Sequence, residues 1–291
     1  MRFAVLASPE SWYLRDLVRA AGDRDSIVQV AFEELSVSVA RGATDITAGD
    51  VDLTTVDAVL VRTMPPGSLE QVVFRMDALA RLQSLGVKVV NSPKAVEAAV
   101  DKFLTTALLE QAGFLVPRTI TCQTSDAALA AFHELGGDVV LKPLFGAEGR
   151  GITRLNDENL ALRAFKMLEQ LGAVLYLQPF IEHEGYDLRL LVIGDRVFGM
   201  KRSNPLDWRT NVSRGATAEA IAVDARFTEL ALRAARAVGA EVAGVDLLPA
   251  RDGELYAIEV NAVPGWKALA TAHGIDVARL VLDHVGATCR S

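Results

Sequence analysis

Residues able to do chemistry gather in two stretches far apart in the chain. In AGVDLLPARDGELYAIEVNAVPG (243–265), Asp252-Gly253 between two apolar runs is a strong signal for a two-residue β-hairpin turn. Such a turn sets Asp246 directly across from Glu259, with Cβ atoms about 5 Å apart. Period-2 alternation places Asn261 on the same face as Glu259. Two carboxylates facing each other among Val, Leu and Ile repel unless a cation lies between them. All-oxygen donors without His or Cys suit Mg2+ or Mn2+. The same acids could line a solvated hairpin face, but strands this apolar favour a metal site.

The other stretch is LKPLFGAEGRGITRL (141–155). Its glycines, Gly146, Gly149 and Gly151, fit neither a Walker loop, which needs a Lys-Ser/Thr pair, nor a Rossmann turn, which must open a helix. The β-branched residues that follow predict a hairpin loop between two strands. With Lys142 on the incoming strand, backbone N–H groups of that loop could cradle a triphosphate; the pattern equally fits a solvent-exposed hairpin tip. Between the two stretches, Asp187 and Arg189 share a strand face, Lys201 and Arg202 end the next strand, and Arg209, Asn211 and Arg214 fall in a polar loop. So many cations near a metal–phosphate site suit a transferring phosphoryl group and a bound carboxylate, although any single arginine could be a surface charge.

Strand–helix–strand alternation positions these residues. RFAVLAS, SIVQVAFEEL, DAVLVRT and VKVVNS read as strands; WYLRDLVRAAG and QVVFRMDALARLQSLG read as helices closed by Gly22 and Gly86. That order predicts a doubly wound parallel α/β layer. Its first turn, ASPESW, lacks the dinucleotide glycines, so a scaffold or substrate-holding role is expected. Arg62, ending one strand, becomes a candidate acceptor contact, because ligands sit at the carboxyl ends of strands in open sheets. Ser92 caps a helix starting at Pro93, a second helix runs from Asp101 to Ala112, and a boundary is expected near residue 95. The expected units are 1–95, 96–182 and 183–291.

The chain has 291 residues, 51% hydrophobic and 23% charged, with net charge −7. That composition supports a large core and argues against a surface built for nucleic acid. No apolar run approaches the roughly 18 residues of a membrane span, and the N-terminus reads as a strand rather than a signal peptide. Cys122 and Cys289 form no framework or metal pattern, which makes a reducing cytoplasm the expected location. His133, His273 and His284 fall in unremarkable positions, and no nucleophile motif is present.

In order from about residue 88 to 285, the chain resembles the ATP-grasp superfamily, most closely the RimK-like α-L-glutamate ligases. The resemblance rests on DK (Asp101, Lys102), VVLKPLFGAEGRGI, LYLQPFI, YDLRLLVIGDRV, WRTN and VAGVDLLPA…AIEVNAVPG. It implies an α/β grasp fold, with the N-terminal layer preceding a two-part ATP-grasp domain. It also implies that Lys102 and Lys142 contact ATP phosphates under a lid carrying Gly146, Glu148, Gly149 and Gly151. Gln178, Pro179, Phe180 and Ile181 would form the adenine hinge, Asp187 would face the ribose, and Lys201 would join the ATP contacts. Arg209 and Asn211 match the family's Arg-Ser-Asn segment and, with Arg202, would act on the transferring group. Asp246, Glu259 and Asn261 match its Mg2+ ligands, for two ions. Two departures stand out: Pro179 replaces a hinge Glu, and Thr210 replaces a Ser.

The implied activity is carboxylate–amine ligation through an acylphosphate, adding L-glutamate to an acid-bearing acceptor. A chain that ends just after the grasp core fits a small coenzyme of tetrahydromethanopterin type. A protein C-terminus or carrier protein is the alternative acceptor, and a regulator that binds ATP without turnover is the alternative class. Arg62, Arg189 and Arg214 are the candidate acceptor contacts, and a homo-oligomer, dimer or tetramer, is expected.

Overall fold

A computed structural model describes residues 1–146, 149–212 and 215–289. At the N-terminus, β1 (Arg2–Leu6) leads through α1 (Trp12–Ala21) to β2 (Ser26–Val30). An antiparallel meander follows, with β3 (Leu35–Ala40), β4 (Ala43–Ala48) and β5 (Val51–Asp52). The chain then returns through β6 (Ala58–Val61), α2 (Leu69–Ser84) and β7 (Lys88–Val90). These strands form a parallel sheet of order β2-β1-β6-β7, as the alternation predicts. The meander is the unforeseen part: LSVSV at 35–39 alternates Leu or Val with Ser, a period suited to a half-buried strand.

Two short helices lead out of this layer, α3 (Pro93–Val100) and α4 (Lys102–Gln111); Ser92 caps the first as expected, and Asp101, expected as the first residue of the second, is its N-cap instead. Ser92 accepts from Ala95 N at 3.2 Å, and Asp101 accepts from Leu104 N at 3.0 Å. Residue 95 thus falls inside α3, and Ala95 is buried in a core that the N-terminal sheet shares with later elements.

The central unit comprises β8 (Ile120–Cys122), α5 (Ser125–Glu134), β9 (Val139–Pro143), β10 (Thr153–Leu155), α6 (Glu158–Gln170) and β11 (Leu175–Pro179). Its antiparallel sheet has the order β10-β9-β11-β8, and the glycine-rich stretch is the hairpin loop joining β9 to β10. Phe132, Phe165, Leu175 and Leu177 belong to a core of its own beneath α5 and α6.

The last unit builds β12 (Tyr186–Ile193), β13 (Arg196–Ser203), β14 (Thr217–Ile221), α7 (Ala225–Ala237), β15 (Val242–Pro249) and β16 (Leu255–Asn261). It closes with α8 (Lys267–His273) and α9 (Val277–Thr288). The antiparallel sheet order is β14-β13-β12-β15-β16. Its core is continuous with the N-terminal sheet on both faces: Val59, Leu79 and Leu190 share one cluster, and Phe3, Leu17 and Leu282 share another.

The β15–β16 hairpin differs from the expected two-residue turn. Gly253 N donates to Ala250 O and Ala250 N donates to Glu254 O, with Gly253 at φ +90°. The loop is therefore three residues long and ends in a left-handed glycine, a geometry that a longer type I turn requires. Near the turn the register is one residue off the expectation, with Leu247 opposite Ala257. A bulge then inserts Ile258, and Asp246 comes to face Glu259 as predicted. Bulges put two successive residues on one side of a strand, so Ile258 and Glu259 both face the cleft described next.

Candidate active site

The central sheet and the C-terminal sheet face each other across a cleft with a cavity volume of about 120 Å³. Lys102, Lys142, Gly149, Gln178, Pro179, Phe180 and Ile181 line it from the central side; Asp187, Arg202, Arg209, Asn211, Asp246 and Glu259 line it from the other. Most of the residues predicted from sequence are thus brought together by elements far apart in the chain.

Asp101 caps α4 and sets Lys102 at its first position, from which Lys102 Nζ donates to Gly146 O at 2.9 Å. Lys142 ends the buried run of β9 and donates to Gln178 Oε1 at 2.7 Å. Burial pushes the Lys142 ammonium down to about 8, with Lys102 adding to the effect while Glu259 and Asp246 oppose it. Burial also lowers Lys102, and Glu259 is the leading group opposing that shift. Both lysines therefore feel the Glu259 carboxylate across the cleft.

On the facing sheet, alternation directs Asp187 and Arg189 of β12, Arg202 of β13 and Asp246 of β15 to one face. Arg202 binds Asp187 with two bonds, at 2.7 and 2.5 Å, and reaches Asp246 at 3.0 Å. Arg189 grips Asp246 with Nε and, at 2.8 Å, with Nη2. The Thr210 hydroxyl completes Asp187 at 2.6 Å. Gly244 leaves room for this clamp, since a Cβ there would lie 2.6 Å from Arg189 Nη1. Burial alone would raise the Asp246 carboxyl, but Arg189 and Arg202 more than offset it and hold the group below the usual range.

The cation expected between Asp246 and Glu259 is thus partly supplied by the protein. Arg189 is the buried partner of Asp246 rather than an exposed acceptor contact, because the β12–β15 register sets the two side by side. Glu259 makes no side-chain hydrogen bond or ion pair among the described residues, and Asn261 Oδ1 accepts from Val263 N at 2.8 Å. Among the described residues no three His, Cys, Asp or Glu gather as a metal cage. This donor set fits Mg2+ all the same: such ions are held by one or two carboxylates together with substrate phosphates, and Asp246 and Glu259 offer that in the cleft, with Asn261 two residues beyond Glu259 on the same strand.

The glycine hairpin reaches the opposite sheet. Arg209 Nη1 donates to Ile152 O at 3.3 Å, and Gly149, at φ +69°, lies so close to Asn211 that an added Cβ would collide with its side-chain oxygen. Gly151 packs on Pro143. Arg209 itself is paired with Asp207 at 2.7 Å, and that carboxylate strengthens its hold on its proton. Toward the hinge the cleft becomes apolar, with Val140, Ile152, Phe180, Leu248 and Ile258. Trp208 meets Phe180 edge-on at 5.5 Å. A flat apolar end beside a cationic end suits a nucleotide.

Six expected residues lie outside the cleft lining: Gly146, Gly151, Arg62, Arg189, Lys201 and Asn261. Lys201 alternates with Arg202 and therefore points to the other face of β13, where its Nζ sits 4.2 Å from the Tyr186 ring. Arg62 is buried between rings, 4.2 Å from Trp266 and 5.1 Å from Tyr13, and donates to Pro264 O at 2.7 Å. It braces the segment after β16 rather than standing open to an acceptor. Glu148 and Arg214 lie outside the described residues. Conversely, His183 lines the cleft without any spacing in the sequence that singles it out, and Tyr176 and Trp208 line it too, although within LYLQPFI and WRTN they are not named as site residues.

A fold of two facing antiparallel sheets, with a glycine hairpin closing over a lysine pair opposite two acids, defines an ATP-grasp ligase. Residues 99–285 match the RimK-like ATP-grasp domain, and the chain belongs to that family. It is 32% identical to the tetrahydromethanopterin:alpha-L-glutamate ligase of Methanosarcina acetivorans, over 96% of this chain and 97% of that one. It is 29% identical to the probable alpha-L-glutamate ligase of Rhodopirellula baltica, over 99% of this chain and 71% of that protein. Among solved structures, a RimK domain ATP-grasp protein of Sphaerobacter thermophilus superposes with a TM-score of 0.73 at 26% identity, covering 98% of this chain and 99% of that one. The ATP-grasp ligase PsnB, solved with a minimal precursor, Mg and ADP, superposes with a TM-score of 0.74 at 23% identity, covering 99% and 97%. The chain is an ATP-dependent ligase.

Proposed function

We propose that this ligase joins L-glutamate through an amide bond to a carboxylate of a small coenzyme of the tetrahydromethanopterin type, by way of an acylphosphate. The observation that carries the reading is the placement of Lys102 and Lys142 across one cleft from Asp246 and Glu259. The full-length similarity to glutamate ligases acting on tetrahydromethanopterin supports the acceptor class.

In this mechanism Lys102 and Lys142 hold the phosphates of ATP, and the apolar hinge end takes the adenine. Bound at Asp246, Glu259 and Asn261, Mg2+ would neutralise phosphate charge; the family resemblance suggests two ions. The acceptor carboxylate oxygen attacks the γ-phosphorus, and the bond to the β–γ bridging oxygen breaks, releasing ADP. Arg209, on the cleft wall, offsets the charge of the transferred group, while Arg202 holds Asp187 and Asp246 in place behind it. The glutamate amine then attacks the acyl carbon, phosphate departs, and the amine proton is lost to solvent. The hairpin contact between Gly149 and Asn211 keeps water from the acylphosphate.

Cys122 and Cys289 are not joined in a disulfide, which suits a reducing cytoplasm, and a homo-oligomer remains part of the proposal. The test is ADP release with Mg2+ and L-glutamate across candidate acceptors, followed by mass spectrometry of the product. A coenzyme product heavier by one glutamyl residue is the expected result. Glutamylation of peptides alone would redirect the acceptor, and tight ATP binding with no acceptor-stimulated ADP release would mark a regulator.

A further inference from the structure

Gln178, at the hinge, is only 2% exposed, and its side chain is fully committed inside the protein. Its Oε1 accepts from Lys142 Nζ at 2.7 Å. Its Nε2 donates to Thr119 Oγ1 at 2.9 Å and to the Tyr176 hydroxyl at 2.7 Å. Thr119 donates onward to Pro117 O at 2.8 Å, and Tyr176 shares a hydrogen bond of 2.7 Å with Thr106 on α4. Tyr176 is the direct cross-strand neighbour of Lys142, and Gln178 lies on the same face two residues on.

The donor inventory fixes the direction of this chain of bonds. An ammonium can only donate, so the amide oxygen must face Lys142. Both amide hydrogens then go to hydroxyl oxygens, and the Thr119 proton is sent to the Pro117 carbonyl. A flipped amide would set NH2 against NH3+ and leave a buried donor unmet, at a cost of about 1–3 kcal/mol. The arrangement has one low-energy state, and in it Lys142 is held at a set position.

We propose that Gln178 is a positioning residue for Lys142 rather than a reader of the adenine base, and that the Tyr176 and Thr119 hydroxyls fix its orientation. The inference rests on Lys142 facing the nucleotide phosphates. The base is left to the backbone of residues 179–181 and the apolar walls, which also explains why proline is tolerated at position 179: the hinge side chains need not supply the polar contact.

MgATP affinity, measured by calorimetry on the full chain, tests this through Gln178→Leu, Tyr176→Phe, Lys142→Met and the Gln178→Leu/Lys142→Met double variant. Circular dichroism checks that each variant folds. Gln178→Leu is expected to weaken ATP binding about tenfold, the scale of one hydrogen bond to a charged group. Tyr176→Phe should shift it the same way by less, and Gln178→Glu, which keeps an acceptor for Lys142, should recover part of the loss. The double variant should bind no more weakly than Lys142→Met, and the ratio of ATP to GTP affinity should not change. Additive losses, an unaltered affinity in folded Gln178→Leu, or a changed ATP to GTP ratio would overturn the proposal. If Lys142→Met alone binds ATP normally, the phosphate reading of Lys142 fails instead. Should Gln178→Leu not fold, the Tyr176→Phe/Lys142→Met cycle makes the same comparison.

Discussion

At the scale of single residues, the two opposed acids have unequal surroundings and should respond unequally to mutation. Asp246 is 5% exposed and gripped by two arginines, so Asp246→Ala strands buried guanidinium charge. Such breaks cost about 3–5 kcal/mol, and denaturant unfolding should show a loss of that order alongside lost turnover. Glu259 has no side-chain hydrogen-bond or ion-pair partner among the described residues, and Glu259→Gln should leave the midpoint nearly unchanged while abolishing turnover. Equal destabilisation by both would show that the clamp contributes nothing. Lys142 carries a pH signature: its ammonium is depressed by burial to about 8, against about 10.4 in an unfolded chain. Between those values the unfolded state binds more protons, so the ligand-free protein should gain stability as pH rises through that window. Phosphates should restore the charge, so ATP binding near pH 9 should take up protons. Calorimetry in buffers of different ionisation enthalpy measures this directly, and Lys142→Met should remove the uptake.

Among the elements, the two hairpins are where local chemistry meets the site. Gly149 has φ +69° and no room for a Cβ beside Asn211. Gly149→Ala should therefore hold the β9–β10 loop off the facing sheet and raise the KM for ATP several-fold. Its strain should cost about 1–2 kcal/mol at most, because a single left-handed residue is affected. A KM equal to that of the unaltered protein would remove the loop from the closing role. The β15–β16 hairpin shows how much of this was legible. Asp-Gly correctly signalled a hairpin, and the pairing of Asp246 with Glu259 follows from it. The length of the turn did not, because a two-residue loop and a three-residue loop with a left-handed glycine share that dipeptide. The extra residue near the turn is offset by the bulge at Ile258, and the predicted pairing survives both.

For the whole molecule, the distribution of cores sets what moves. The central unit has its own core around Phe132 and Phe165, while the N-terminal and C-terminal sheets share two clusters. Phe165 is fully buried, and Phe165→Ala should cost about 3–5 kcal/mol. Hydrogen exchange should then show lost protection confined to β8–β11 and α5–α6, with the outer sheets still protected. Loss spread evenly over the chain would contradict a separate central core. On the proposed reading MgATP spans both sheets, so its binding should return protection to the central unit.

Sequence by itself determined what depends on near neighbours: the helix cap at Ser92, the parallel first layer, the glycine hairpin, and the carboxylate pair. Each is a matter of backbone period, turn chemistry or the donor inventory of a side chain, and these act over a few residues. Only the tertiary structure decided which groups meet across strands. Arg189 and Arg202 read as free cations in the sequence, yet the register of β12 between β13 and β15 spends both on buried carboxylates. Lys201, one position away, faces the other side of the sheet. Arg62 ends its strand as expected but is covered by Trp266, which lies far along the chain. Gln178 looks like a hinge contact until Thr119, Tyr176 and Lys142 surround it. A charged or amide side chain takes whichever partner the packing supplies, and in a low-dielectric interior that choice is strongly enforced because an unmet group costs more than a bond returns.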